Sequence, residues 1–237
     1  PTVARDSSET AAGSPLEDIG VRARSLSPLL YWTLTKGNVE IPLAVRDRLR
    51  AAYVLEAARA REVEKTCERA FRVLGAAGVT VTPLKGIILA YAYYPEAGLR
   101  HCHDLDLLVD RREFSLAADS LVRAGFVLST DPTLRGQVDA RFADRGGFPI
   151  VLHRDLFQLP HYDLSHGALR ERSSAGSLLG TPAEMLSASD MLVHVCGHAS
   201  CSASRTDLRW VPDAWFAAGH LSERDWTALP ELVSKAH

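Results

Sequence analysis

The chain has no apolar run of the roughly 20 residues that a membrane-spanning helix needs. It also lacks the apolar stretch of a secretion signal, because its first residues are polar and acidic. Cysteine is scarce, with four among 237 residues: Cys67, Cys102, Cys196 and Cys201. Without a secretion signal they read as reduced thiols, so a cytoplasmic protein with no membrane association is expected. Charge of one sign is lacking too. There are 27 basic and 29 acidic side chains, a net charge of −2. The totals therefore do not announce a nucleic-acid binder. The basic residues are mostly Arg but form no run. There is no internal repeat and no low-complexity block. The chain starts at Pro1 rather than Met and stops at His237 inside a helical pattern. Trimming at the start and continuation past His237 are the expectations.

What is present falls into four stretches. Residues 1–14 are small and polar, an expected flexible tail. Residues 15–78 are expected to be helical. "LEDIGVRARSLSPLLYWTLTKG" gives one or two short helices ending at Gly37. A longer pattern over 42–77 sets Leu49, Tyr53, Ala57, Ala60, Cys67, Ala70, Phe71 and Leu74 on one stripe. It predicts one long helix or a helical pair. Residues 79–160 switch to an α/β grammar. "VTVTPLKG" is a strand entering a turn, 87–94 a short helix stopped by Pro95, and "LDLLVD" a strand. A helix over 111–125 buries Phe114, Ala117, Ala118 and Leu121 and ends at Gly125. "FVLS" is a strand, and 137–157 a hairpin turning near Gly146-Gly147. Residues 161–237 are expected to be helical again. Thr181, Pro182 and Glu184 offer a capping box for a helix from 183. The fold class is therefore α+β, a small mixed sheet flanked by helices at both ends.

The stretch that asks for chemistry is "LRHCHDLDLLVD", residues 99–110. Side chains alternate along a strand, so Asp104 and Asp106 project to one side, their Cα atoms ~6–7 Å apart. Leu105 and Leu107 take the other side. Two carboxylates there repel each other and resist burial. A divalent cation resolves that conflict, and Mg²⁺ commonly takes one or two carboxylates plus substrate phosphates. The plain alternative is a strand end with two solvated acids. Upstream, "PLKG" sets Gly86 where a phosphate could approach the backbone, and Lys85 where an ammonium could meet it. Arg100 could serve the same phosphates or pair with a surface acid.

Together, "LKGIILAYAYYPEAGLRHCHDLDLLVD" resembles the signature of the nucleotidyltransferase superfamily, the DNA polymerase β-like fold. It is most similar to a bacterial group of uncharacterised nucleotidyltransferases with an LKG…R…DxDxLV pattern. "AGFVL", "LHRDLF" and "HVCGHAS…LRWVPDAWF" resemble the continuation of that group over roughly residues 40 to 230. The resemblance implies transfer of a nucleoside monophosphate from an NTP, ATP among them, to a hydroxyl-bearing acceptor. Asp104 and Asp106 would hold Mg²⁺ or Mn²⁺, and Lys85, Gly86 and Arg100 would seat the nucleotide. The acceptor stays open between a small molecule, a protein side chain and a tRNA end, a toxin being one version of the last. The superfamily generally adds a third carboxylate from a neighbouring strand. The position expected to carry it, two residues before the strand histidine, is Val151. Asp155 is expected to substitute or His153 to act as base, with Asp139 and Asp144 as weaker candidates. If no acid arrives, the alternative is a degenerate module that binds nucleotide or a partner protein without turnover.

Three further features have plain readings. His194, Cys196, His198 and Cys201 have zinc-ligand chemistry, but the stretch reads better as a packed helix with a satisfied core histidine or an acceptor-pocket wall. Arg209 and Asp213, four apart, are expected to pair across a helical turn. That reading is favoured over base stacking by Trp210. Asp207 lies on the same segment. "VRDRLRAAYVLEAARARE" could touch RNA but interleaves acids, as a solvated face does.

Overall fold

The computed structural model describes residues 24–129, 140–157, 166–201 and 208–235. The expected tail, Asp139 and Asp207 lie outside these residues. After a 3₁₀ turn at Arg24–Leu26 come α1 (Ser27–Lys36) and α2 (Leu43–Ala76). The long pattern is thus a single helix of 34 residues. Its C-terminal half carries the buried stripe of Val63, Cys67, Ala70, Phe71 and Leu74. Its N-terminal half is more exposed and packs against α1. Glu96 pins the two helices to the loop before the acidic motif, accepting from Trp32 Nε1 at 3.0 Å and Tyr53 Oη at 2.5 Å.

β1 (Val81–Leu84) runs straight into α3 (Lys85–Ile88), which continues as a π-helical turn over Leu89–Tyr93. The helix therefore starts two residues before the expected 87. A 3₁₀ turn (Ala97–Leu99) leads to β2 (Leu105–Val109), then α4 (Phe114–Arg123), β3 (Val127–Leu128), β4 (Ala140–Ala143) and β5 (Pro149–His153). The five strands form one mixed sheet in the order β1-β2-β5-β4-β3. β2 pairs antiparallel with β1 and parallel with β5. Pro83 sits in β1, an edge strand, the place in a sheet where proline is tolerated. β2 is buried along its whole length. Its Leu105, Leu107 and Val109 join Phe142, Ile150 and Leu152 of the neighbouring strands and Phe71 and Leu74 of α2 in one core. The expected 137–157 hairpin is present as β4–β5. Asp144 closes its turn by accepting from Phe148 N at 2.9 Å and Thr66 Oγ1 at 2.5 Å.

The C-terminal stretch departs from the all-helical expectation. After α5 (His166–Arg172) come β6 (Ser174–Leu178) and β7 (Thr181–Met185), an antiparallel hairpin. Its two-residue turn holds Leu179 and Gly180 at φ +51° and +72°, the left-handed pair of a tight hairpin. A leucine rarely accepts that conformation, so the usual Asn-Gly signal is absent. The capping box expected at Thr181 is therefore part of a strand. The real cap is Ser187, ahead of α6 (Ala188–Cys201). Asp190 N–H donates to Ser187 Oγ at 3.1 Å, and Ser187 Oγ donates to Asp190 Oδ2 at 2.6 Å. Arg172 forks onto the same buried Asp190. Ser187→Ala is expected to cost about 1 kcal/mol in urea unfolding, and Thr181→Ala about half that or less. Equal costs would return the cap to Thr181. The chain closes with α7 (Trp210–Ala218) and α8 (Glu223–Lys235). Among the described residues no helix is long and apolar enough to cross a membrane.

Candidate active site

The strand β1, the helix α3 and the start of β2 meet α6 and α7 around a cleft of about 610 Å³. Lys85, Gly86, Arg100, Asp104 and Asp106 line it from the sheet side. Cys196, His198, Arg209, Trp210 and Asp213 line it from the helical side. Five of the seven site residues expected from the sequence thus come together. His153 stands behind them, and Asp155 is elsewhere.

Asp106 lies within β2 and is 5% exposed. His153 Nε2 stands 2.6 Å from its Oδ1, and Lys85 Nζ 3.8 Å from its Oδ2. Burial opposes ionisation of Asp106, but the His153 hydrogen bond and the Lys85 charge outweigh it, and its carboxyl is held below the usual range. Asp104, one residue before β2, has no matching hydrogen bond, and the charges of Lys85, Arg141 and Arg100 do not outweigh what opposes its ionisation. Burial, and then the charge of Asp106, push its pKa up to about 6 from an ordinary 3.8. A raised carboxyl pKa means that folding favours the proton. The cost is absent below about pH 4, grows as pH rises towards 6 and is complete at pH 7. Asp104→Asn is therefore expected to stabilise the metal-free protein by on the order of 2 kcal/mol at pH 7. The gain should shrink towards pH 4. Urea unfolding in chelator at the two pH values checks this; an equal gain at both would refute the electrostatic origin.

The glycine turn works differently from the sequence expectation. The residue in the left-handed region is Lys85, at φ +41°, and not Gly86. Such a backbone costs roughly 1–3 kcal/mol and is found where function requires it. Here it swings the chain from β1 into α3 while keeping Lys85 Nζ beside Asp106. Gly86 is small because of Arg100: a Cβ there would lie 3.0 Å from Arg100 Nη1.

Arg100 does not pair with a surface acid. Its Nε and Nη2 donate to the two carboxylate oxygens of Asp213, at 3.1 and 2.8 Å, and its Nη1 donates to His101 O at 2.8 Å. Tyr94 Oη donates to Asp213 Oδ1 at 2.7 Å. Asp213 is 4% exposed. The expected Arg209–Asp213 pair is thus replaced by a clamp between residues 113 apart, because α7 turns Asp213 inward onto the loop before β2. His101 ties the same loop to α2, its Nδ1 lying 2.7 Å from Glu56 Oε2. The role of Tyr94 and Asp213 in this clamp had no signal in the sequence.

The third-carboxylate position is now defined. Val151 is the direct register partner of Asp106 across the parallel β2–β5 pair, and it is 1% exposed. Asp155 does not replace it. Its exposed carboxylate pairs with Arg111 at 2.5 Å, beyond the far end of β5. Four residues past Val151 is roughly 13 Å of strand. Asp144 is occupied in its turn. His153 is buried with Nε2 on Asp106, so it faces that carboxylate and does not line the cleft.

The histidines of α6 split. His198 reaches the cleft, and burial with the nearby Lys85 charge lowers its pKa to about 4. His103 is likewise lowered to about 4, by burial and then Arg209. Both are neutral at neutral pH. His194 is 1% exposed, packs its ring 5.4 Å from that of Phe157 and has no hydrogen-bond partner at either nitrogen. It is a core histidine, but not a satisfied one. Among the described residues no three His, Cys, Asp or Glu side chains are grouped to hold a metal ion.

This fold is that of the nucleotidyltransferases. The solution structure of the antibiotic-resistance factor ANT(2'')-Ia aligns at TM-score 0.52 and 10% identity, over 73% of this chain and 92% of that one. A nucleotidyltransferase-like protein from Paracoccidioides brasiliensis aligns at 0.46 and 17%, over 74% and 88%. Only the first is near enough in shape to bear on the fold. No curated protein sequence matches the chain. The chain belongs to the uncharacterised nucleotidyltransferase family, whose profile matches residues 20–237.

Proposed function

We propose that this protein is a divalent-metal-dependent nucleotidyltransferase that moves a nucleoside monophosphate from an NTP to a hydroxyl-bearing acceptor. The observation that carries this reading is the meeting of Asp104 and Asp106 with Lys85 and Gly86 in one cleft. The donor set suits Mg²⁺ or Mn²⁺: two carboxylates that repel each other offer hard oxygen ligands. Two carboxylates leave room for phosphate oxygens, as Mg²⁺ sites with nucleotide substrates do. When bound, the cation would neutralise developing charge and align the attacking oxygen with the α-phosphorus.

The chain's own residues set up the rest. Asp106 is kept ionised by His153 and Lys85, so it is ready to bind a cation. His153 is a positioning residue in this reading, holding one Asp106 oxygen so that the carboxylate cannot rotate. Lys85 is close enough to Asp106 to meet phosphate at the same place. Arg100, its charge offset by Asp213, holds the loop before β2 against Gly86. Transfer removes the acceptor hydroxyl proton to water, forms a bond from its oxygen to the α-phosphorus and breaks the bridge to the β-phosphate, releasing pyrophosphate. Positioning and electrostatics supply most of the rate enhancement. Asp155 has no part in this arrangement. The acceptor is a small molecule, a protein side chain or a tRNA end.

A second reading has its own observation. Val151 fills the place beside Asp106 from which an acid would reach the cation. On that reading the cleft binds nucleotide, or a partner protein, without turnover. The protein is incubated with Mg²⁺ and each α-labelled NTP, with small-molecule, protein and RNA fractions as acceptors. Label transferred to one fraction, released pyrophosphate and loss of both on chelation support the enzyme. Binding of nucleotide with no transfer to any fraction supports the second reading.

A further inference from the structure

The helical wall of the cleft presents one broad aromatic surface. Among the described residues lining it, Trp210 is the only Phe, Tyr or Trp, and it is 44% exposed. Its place is not loose. Trp210 opens α7, three residues before Asp213 and about 4.5 Å from it along the axis. Asp213 is gripped by both nitrogens of the Arg100 fork and by Tyr94. Arg100 in turn lies against Gly86 of the glycine turn. One chain of contacts therefore runs from the turn beside Lys85, through Arg100 and Asp213, to the helix that carries the ring.

We propose that Trp210 is the nucleobase platform of the site: the base of a nucleoside triphosphate, its phosphates at Lys85 and Gly86, stacks on the indole. This inference rests on the nucleotide reading above and deepens it. A half-exposed indole on a clamped helix turn offers π-surface at little ordering cost. Stacking is tolerant of base identity because every base has a π-face. It favours the larger purines over pyrimidines by contact area. The Arg100–Asp213 clamp acts through Trp210 as a positioning device, setting the distance between ring and phosphate turn.

The test measures binding to the full chain with Mg²⁺, so it does not depend on turnover. The probes are α,β-methylene-ATP, the corresponding CTP analogue and inorganic tripolyphosphate, which has the phosphates but no base. Trp210→Ala should weaken the ATP analogue by about 5- to 100-fold, weaken the CTP analogue less and leave tripolyphosphate unchanged. Trp210→Phe should restore most of the loss. Unchanged affinity for the ATP analogue in Trp210→Ala overturns the stacking inference while leaving the nucleotide site intact. An equal loss for tripolyphosphate also overturns it, because the ring would then be acting through the shape of the site. Failure of all three probes to bind the unaltered protein overturns the nucleotide reading and this inference together.

Discussion

Asp106→Asn is expected to lower nucleotide transfer by about 10²–10³-fold or more, the scale of losing one preorganised electrostatic contact in a closed site. The substitution keeps the shape of the side chain. An amide oxygen can still accept from His153, so the strand and its partner stay in place. What disappears is the charge. Asp106 is the carboxylate that the protein has arranged to keep ionised, with His153 Nε2 at 2.6 Å and Lys85 Nζ at 3.8 Å. The loss should fall mainly on kcat, because the charge matters most where the transferred phosphoryl group develops its own.

Stability separates this variant from Asp104→Asn. A carboxyl held below its ordinary pKa adds stability above the unfolded value and loses it as pH falls through the folded one. Asp106→Asn should therefore weaken the fold at neutral pH, whereas Asp104→Asn strengthens it. A radiolabel transfer assay and urea unfolding on both variants read the two effects. Full transfer by Asp106→Asn would remove the carboxylate from the mechanism.

Arg100→Ala is expected to destabilise the protein by about 3–5 kcal/mol, the cost of breaking a buried ion pair from one side. Its removal leaves Asp213, 4% exposed, with Tyr94 as its one side-chain hydrogen-bond donor among the described residues. It also frees His101 O from its donor. For a chain of this length the midpoint of thermal unfolding should fall by about 10 °C. Arg100→Lys should recover little, since one ammonium cannot reproduce the two-pronged contact. Asp213→Asn should cost less than Arg100→Ala, because the amide still accepts from Tyr94. A double-mutant cycle between positions 100 and 213 should give a coupling of about 1–3 kcal/mol. Additive single effects would mean that the 2.8 Å contact carries no stability.

The elements that could be read in the sequence share one property: their signals are local. The apolar stripe of α2, the Phe114–Leu121 face of α4 and the β4–β5 hairpin follow from spacing within a few residues. So does the acidic pair at the head of β2, because alternation along a strand is a local rule. The β6–β7 hairpin was hidden by a local signal that misled. Thr181, Pro182 and Glu184 look like a cap, and Leu179 does not look like a left-handed turn residue. The pairing of β7 with β6 overrode both.

By itself the sequence determined the α+β class, the family and the residues of the D-x-D and LKG motifs, because these depend on residue type at fixed short spacing. Tertiary structure alone decided what surrounds them. It put Val151 in register with Asp106, sent Asp155 to Arg111 and turned His153 onto the carboxylate. It also joined Arg100 to Asp213 across 113 positions. Such pairings depend on strand register and on how helices close over the sheet. Neither is written in the spacing of nearby residues, since each is settled by the packing of the whole core.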